Sequence, residues 1–351
     1  MMSTLVHGSS FDGHVLFGPV VPIDRYLLPW LPEFWFGILL FTLTMYVFLD
    51  GFDFGIGILY ATRKEVQDRE TLLAAFGPVW DANEVWLVAF GTILFAAFPS
   101  VYASLLSDHY LLIFAIVFSL LLRGVTPELR EQRDDPSWQR ACDRGFVIGS
   151  IASPFFIGTL TGSWVFGTGM ISLPSVMTGV AIVFLSLSSG AAYLGMKTTN
   201  DLRREMASYG IYASLGYLSA IVLLLTIVIV TDPLGVRETL VSIPVVVVVV
   251  ATVVLLVAGV VAAERGEVVR WFAATAGVAA ALMILVAILL YPVIYPATGQ
   301  TVREAIISPL ALNVLTIVVV PVLALVLIYF KYLYSVFSGP IEDDEGYGTP
   351  D

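Results

Sequence analysis

Long uncharged runs are the feature that most restricts what this chain can fold into. Residues 244–263 contain no charged side chain, and about 20 apolar helical residues cross a bilayer core of about 30 Å. Only 13% of the 351 residues are charged and 58% are hydrophobic, whereas soluble proteins are roughly 25% charged. The sequence lacks the alternating segments of about ten residues that build membrane barrels. We therefore predict an all-α integral membrane protein.

The hydropathy pattern predicts nine transmembrane helices. They lie near residues 32–61, 82–106, 110–125, 145–166, 173–195, 209–231, 243–263, 271–292 and 309–334. Residues 1–31 form an extension rich in Gly and Pro that does not resemble a secretory signal. The most charged connection, 126–144, is predicted to be a solvated loop, and 335–351 to be an acidic tail.

The basic residues predict the orientation in the membrane. With nine helices, fourteen of the 17 Lys and Arg residues fall on one side and three on the other. Because basic residues concentrate in cytoplasmic loops, we expect the N-terminus outside and the C-terminus inside a multi-pass protein of the cytoplasmic membrane. The chain carries a net charge of −11, so its expected surroundings are lipid and other membrane proteins rather than nucleic acid.

Four acidic residues in or beside apolar segments are the anomaly that needs an explanation. Asp50 and Asp53 lie in the first predicted helix, and Asp81 and Glu84 lie at the start of the second. A carboxylate near the bilayer centre costs at least a few kcal/mol, so such residues are rare and usually functional. Asp50 and Asp53 are three apart and share a helix face. The predicted orientation puts all four toward the inner side, which suggests a route for protons or cations from the cytoplasm.

Structural explanations for the same residues stay open. Asp81 followed by Glu84 three residues later is typical of a capping box at a helix start. Asp53 could simply be paired with an arginine or hydrogen-bonded by a neighbouring helix. Arg123, at the end of predicted helix three, is the basic residue placed to partner a membrane carboxylate.

Small and aromatic residues around the acidic positions favour structural roles. Gly51 and Gly55 are typical of a helix face that a neighbouring helix approaches closely. Trp80 and Trp86 flank the acidic turn and are interpreted as anchors at the membrane interface.

The sequence does not predict a cofactor or metal site in this chain. The three histidines, His7, His14 and His109, lie outside the middle of any predicted helix, so the commonest axial ligand of a membrane haem is missing. A single cysteine, Cys142, excludes an internal disulfide.

The chain resembles subunit II of cytochrome bd-type ubiquinol or menaquinol oxidases in four motifs. These are LDGFDFGIG, GPVWDANEVWLVAFGTILFAAFPSVYASLLS, LLRGVTPELR and SGAAYLGMKTTNDLR. The resemblance implies one four-helix bundle at 32–166, a second at 173–292 and a peripheral ninth helix at 309–334. It further implies a heterodimer with a subunit I that holds haem b and haem d, oxidises quinol and reduces O₂ to water. Subunit II would hold no haem, and a small accessory subunit could join.

The resemblance also implies roles for individual residues. Asp81, in the motif Trp80–Asp81, becomes the first choice for proton uptake from the cytoplasm, with Glu84, Asp53 and Asp50 as further candidates for the path. The motif residues expected to be structural are Gly51, Phe52, Gly55, Trp80, Asn83, Trp86 and Arg123. The chain departs from many members at Ala82, where they have Gly, and from some at Val79, where they have His.

Two other hypotheses remain at this point. A stand-alone transporter coupled to protons or cations would also contain membrane carboxylates and glycine-interrupted helices. However, the acidic motif is not repeated in the second half of the chain, which favours the oxidase subunit. A purely scaffolding subunit would differ only in that Asp81 affects assembly rather than turnover.

Overall fold

The computed structural model describes residues 21–337 and 339–341, and this part of the chain is almost entirely helical. Its helices are α1 (Leu31–Tyr60), α2 (Val66–Phe76), α3 (Trp80–Ala97), α4 (Pro99–Asp108), α5 (Tyr110–Glu131), α6 (Pro136–Phe166), α7 (Leu173–Lys197), α8 (Asn200–Thr231), α9 (Arg237–Leu240), α10 (Ile243–Glu264), α11 (Val268–Leu290), α12 (Val302–Ala305) and α13 (Pro309–Val336). Two short antiparallel strands, β1 (Val293–Tyr295) and β2 (Gln300–Thr301), form a hairpin between α11 and α12. The predicted all-α class is confirmed.

Eight of the described helices are long and apolar enough to cross a membrane by themselves. They are α1, α5, α6, α7, α8, α10, α11 and α13, and each corresponds to one predicted segment. A ninth crossing results if α2 and α3, which meet at a bend of 44°, form one span.

The second predicted segment, 82–106, is wrong as a single helix. The chain forms α3 and α4 instead, which are separated at Phe98. Pro99 is the first residue of α4, and a proline disfavours helical geometry in the residue before it. Accordingly, Phe98 has φ −131° and ψ 59°. The helix α2, within the charged connection before this segment, was not predicted.

The prediction of a loop at 126–144 is also wrong for most of its length. Only residues 132–135 separate α5 from α6. Asp143 on α6 accepts hydrogen bonds from Tyr60 (2.6 Å), Arg69 (3.0 Å) and Arg130 (3.0 Å). Charged residues can therefore occupy the end turns of these helices, because ion pairs compensate their charges there.

The core forms around α1, which packs against α3, α6, α7 and α11. Its closest approach to α7 is at Gly55 and Gly190. A Cβ built on Gly55 would lie 2.0 Å from the carbonyl oxygen of Ser186 and 2.8 Å from Cα of Gly190. Only glycine permits this spacing, whereas a Cβ on Gly51 would make an ordinary contact of 3.7 Å.

The last helix, α13, is held at a few points and is otherwise exposed. Near its start, the Asn313 amide donates to the carbonyl oxygens of Pro22 and Arg25 and accepts from the backbone N–H of Leu27. Trp35 of α1 donates to the Thr316 hydroxyl at 2.9 Å. These contacts fix α13 beside α1 and bring its far end to the acidic residues.

Candidate functional site

The two carboxylates of α1 are buried inside the protein. Asp50 and Asp53 are both 0% exposed. Asp50 forms an ion pair with Arg123 of α5, at 2.8 Å between Oδ1 and Nη1. Arg123 is also 0% exposed, so both charges of the pair are removed from water. Each charge is stabilised mainly by the opposite charge of its partner.

Aromatic rings surround the Arg123 guanidinium. Its Cζ lies 4.6 Å from the ring centre of Phe54, 5.7 Å from that of Phe76 and 5.8 Å from that of Trp80. These residues come from α1, α2 and α3, so the unpredicted helix α2 contributes one wall of the site. Cation–π contacts of this kind stabilise a desolvated guanidinium.

Glu84 connects the buried ion pair with the protein surface. Its Oε2 lies 3.5 Å from Nη2 of Arg123, and its side chain is 27% exposed. Arg123 thus contacts one fully buried carboxylate and one partly exposed carboxylate, on two different helices.

Asn83 links Asp53 to the last helix of the chain. Its Nδ2 donates to Oδ2 of Asp53 at 2.8 Å, and its Oδ1 accepts from the Tyr334 hydroxyl at 2.6 Å. Asn83 itself is 0% exposed. We call the residues Asp50, Asp53, Asn83, Glu84, Arg123 and Tyr334 the acidic cluster.

Asp81 lies outside the buried part of this site. It is exposed at the second residue of α3, one turn before Glu84. The predicted capping box is absent from this helix start, because the N-cap is Val79 and no side-chain cap hydrogen bond forms there. Asp81 is therefore a surface carboxylate in the first turn of the helix, three residues before Glu84.

The two tryptophans are more buried than residues that anchor a protein at the membrane interface. Trp86 is 1% exposed, and its ring lies 5.9 Å from that of Phe41 and 5.2 Å from that of Phe330. The anchor interpretation is therefore wrong for Trp86, because its position one turn after Asn83 faces inward. Trp80 is half-buried and stacks on Phe76 at 5.6 Å.

Phe52, another motif residue, lies between the two aspartates in the sequence. Its ring stacks on that of Tyr193 of α7, with the ring centres 4.2 Å apart. The sequence analysis did not select Tyr334. The only sequence feature that could have indicated it is a tyrosine near the end of a largely aliphatic helix.

Among the described residues, His, Cys, Asp and Glu side chains form no group of three or more able to hold a metal ion.

Two cavities lie apart from the acidic cluster. An apolar cavity of about 240 Å³ is bounded by α1, α3, α4, α5 and α6, with Phe90 and Trp164 among its walls. A polar cavity of about 260 Å³ is lined by His109, Asp108 and Tyr295. In it, Tyr295 donates to Asp108 at 2.7 Å, and burial together with this hydrogen bond raises the pKa of Tyr295.

Comparison with known proteins identifies the family. The family of cytochrome bd terminal oxidase subunit II matches residues 31–337. Cytochrome bd ubiquinol oxidase subunit 2 of Bacillus subtilis (strain 168) is 33% identical over 196 residues, which are 50% of this chain and 57% of the relative. Cytochrome bd-I ubiquinol oxidase subunit 2 of Escherichia coli (strain K12) is 32% identical over 172 residues, 44% of this chain and 45% of the relative.

The solved bd oxidase from Geobacillus thermodenitrificans has the same fold, with a TM-score of 0.73 at 15% sequence identity. The match covers 88% of this chain and 98% of the solved chain. The aligned region spans about half the length of the curated relatives, while the family match covers nearly the whole described chain. This multi-pass membrane protein belongs to the family of cytochrome bd terminal oxidase subunit II.

Proposed function

We propose that this chain is the haem-free subunit II of a quinol oxidase in the cytoplasmic membrane. It pairs with a haem-bearing subunit I and gives cytoplasmic protons access to the site where subunit I reduces O₂ to water. The names of the relatives, which are ubiquinol oxidase subunits, support this proposal. Haem b, haem d and the quinol site belong to subunit I, and a small accessory subunit is compatible with the assembly.

The proposed membrane arrangement has nine crossings, with α2 and α3 counted as one. The N-terminus is outside and the C-terminus inside, and residues 32–166 and 173–292 form two four-helix bundles beside the ninth helix. Protons consumed in making water then come from the inner side, and quinol protons leave on the outer side, so turnover conserves energy without pumping.

The observation that carries the proposed proton access is the continuity from a surface carboxylate to buried ones. Asp81 is exposed, Glu84 is partly exposed, and Arg123 bridges Glu84 to Asp50. Asp53 lies about one turn from Asp50 on the same helix, toward its inner end. Carboxylates in this order can accept a proton near the cytoplasm and hold it inside the membrane.

The charge balance of the acidic cluster suits a site that takes up protons. The cluster contains three carboxylates, those of Asp50, Asp53 and Glu84, and one guanidinium, so it has two excess negative charges when fully ionised. Each bound proton reduces the charge that the buried volume must hold. Arg123 keeps its own proton, so we assign it the role of a fixed counter-charge and the carboxylates the role of proton carriers.

The variant Asp81→Asn tests this proposal. We expect O₂ consumption by the purified oxidase to fall by roughly tenfold, equal to about 1.4 kcal/mol of activation barrier, at unchanged haem content. The matched control is Asp201→Asn, because Asp201 is also an exposed first-turn aspartate, on α8, and it lies outside the cluster. Loss of haem and assembly in Asp81→Asn would instead indicate a scaffold, and equal rates in both variants would contradict proton uptake through Asp81.

A further inference from the structure

The ninth helix contributes one polar group to the acidic cluster, the hydroxyl of Tyr334. Most of α13 is exposed, and its buried residues are Leu312, Asn313 and Phe330. At the inner end, the Phe330 ring lies 5.2 Å from the Trp86 ring, and the Tyr334 ring lies 6.4 Å from the Phe330 ring and 6.5 Å from the Phe52 ring. These contacts place the Tyr334 hydroxyl 2.6 Å from Oδ1 of Asn83.

The neighbours of Asn83 determine which way its amide faces. An asparagine amide has one end that only donates and one end that only accepts. Nδ2 faces two acceptors, Oδ2 of Asp53 at 2.8 Å and the carbonyl oxygen of Leu49 at 3.4 Å. Oδ1 faces a donor, the hydroxyl of Tyr334. The reversed amide would set its oxygen against the Leu49 carbonyl, which cannot donate, so the observed orientation satisfies each group that contacts the amide.

This orientation has a consequence for the two oxygens of Asp53. Oδ2 accepts the N–H of Asn83. Oδ1 is buried and has no hydrogen-bond partner within residues 21–337 and 339–341. Because Oδ2 is occupied by a donor, a proton arriving at Asp53 binds at Oδ1.

We propose that Tyr334 is a positioning residue of the proton route. By donating to Asn83, it holds the amide so that the N–H points at Asp53, and it thereby directs protonation to Oδ1. This inference rests on the proposed function, since it matters for turnover only if Asp53 lies on the route. It also gives the ninth helix a role in the site.

A double-mutant cycle tests the inference. We expect Tyr334→Phe and Asn83→Ala each to slow O₂ consumption several-fold at unchanged haem content. Because Tyr334 acts through Asn83, the double variant should be no slower than Asn83→Ala alone. The matched control is Tyr332→Phe on the same helix, where the residue is 66% exposed and no change is expected. Slowing factors that multiply in the double variant would overturn the inference.

Infrared redox-difference spectra separate this inference from the proposed function. Asp53→Asn identifies the carboxyl band of Asp53 as the band that disappears. Tyr334→Phe should shift that band, and Tyr332→Phe should leave it in place. An unshifted band in Tyr334→Phe would overturn the positioning role. In contrast, if Asp53→Asn removed no band and left turnover unchanged, the proposed role of Asp53 in proton access would fail.

Discussion

Replacing Arg123 with methionine is the perturbation with the largest expected effect on the acidic cluster. The guanidinium is fully buried, with Nη1 2.8 Å from Asp50 and Nη2 3.5 Å from Glu84. Methionine fills the space of the aliphatic part of arginine and makes favourable sulfur contacts with aromatic rings, although it is shorter than arginine. The substitution therefore removes the positive charge and the guanidinium while keeping an apolar side chain beside the rings.

The expected loss of stability in Arg123→Met follows from the burial of the ion pair. Removing one partner of a buried pair costs about 3–5 kcal/mol, because the other charge is left uncompensated. At Arg123→Met this charge is Asp50, which is 0% exposed. Since about 1.4 kcal/mol is a factor of ten, we expect a hundredfold or larger shift toward the unfolded or unassembled chain.

The assay compares three cluster variants with a surface control. Arg123→Met, Asp50→Asn and the double variant are scored by the amount of assembled oxidase and by its temperature of dissociation. The double variant should regain most of the stability lost in Arg123→Met, because replacing both charges leaves no buried ion without a partner. Arg204→Met is the control, since Arg204 is 81% exposed in its ion pair and such pairs contribute about 0–1 kcal/mol.

Additive losses would refute this reasoning. If the double variant is as unstable as the two single losses combined, the Arg123–Asp50 ion pair does not explain the effect. A loss at Arg204→Met equal to that at Arg123→Met would likewise contradict it, because burial would then not matter.

Two further predictions concern packing and pH. Gly55→Ala should cost about 1–3 kcal/mol by overpacking, since its Cβ would lie 2.0 Å from a carbonyl oxygen, whereas Gly37→Ala, with no atom within 4 Å of its Cβ, should leave the dissociation temperature unchanged or slightly raised. The hydrogen bond of Tyr295 should stabilise the protein below the ordinary tyrosine pKa of about 10, and this contribution should fade as pH rises toward the raised pKa of the folded state. Tyr295→Phe should therefore lower the stability by about 1 kcal/mol at neutral pH. Between neutral and alkaline pH, the variant should lose less stability than the unchanged protein. An equal loss in both proteins over this pH range would contradict the prediction.

The sequence predicts the long apolar helices well because their formation depends on local composition. Eight predicted segments correspond to single helices, since an uncharged run of this length has few alternatives in a bilayer. The helix α2 was missed because it is short and partly charged, and hydropathy over a long window does not detect it. The break at Phe98 was overlooked although Pro99 is a local signal.

The acidic cluster was only partly predictable. The carboxylates were detected because charge is rare in membrane helices, and Arg123 was considered as a partner for the same reason. Which of them pairs with Arg123 depends on how α1, α3 and α5 pack, and periodicity within one helix does not contain that information. Tyr334 was missed because a tyrosine near the end of a membrane helix usually indicates the lipid interface.

A reduced-minus-oxidised absorption spectrum of the tagged chain, purified gently from its native membrane, tests the central claim most directly. We predict haem b and haem d bands that co-elute with this chain and a second large subunit. A colourless chain without a partner, from a preparation shown to keep other membrane complexes intact, would contradict the assignment as an oxidase subunit.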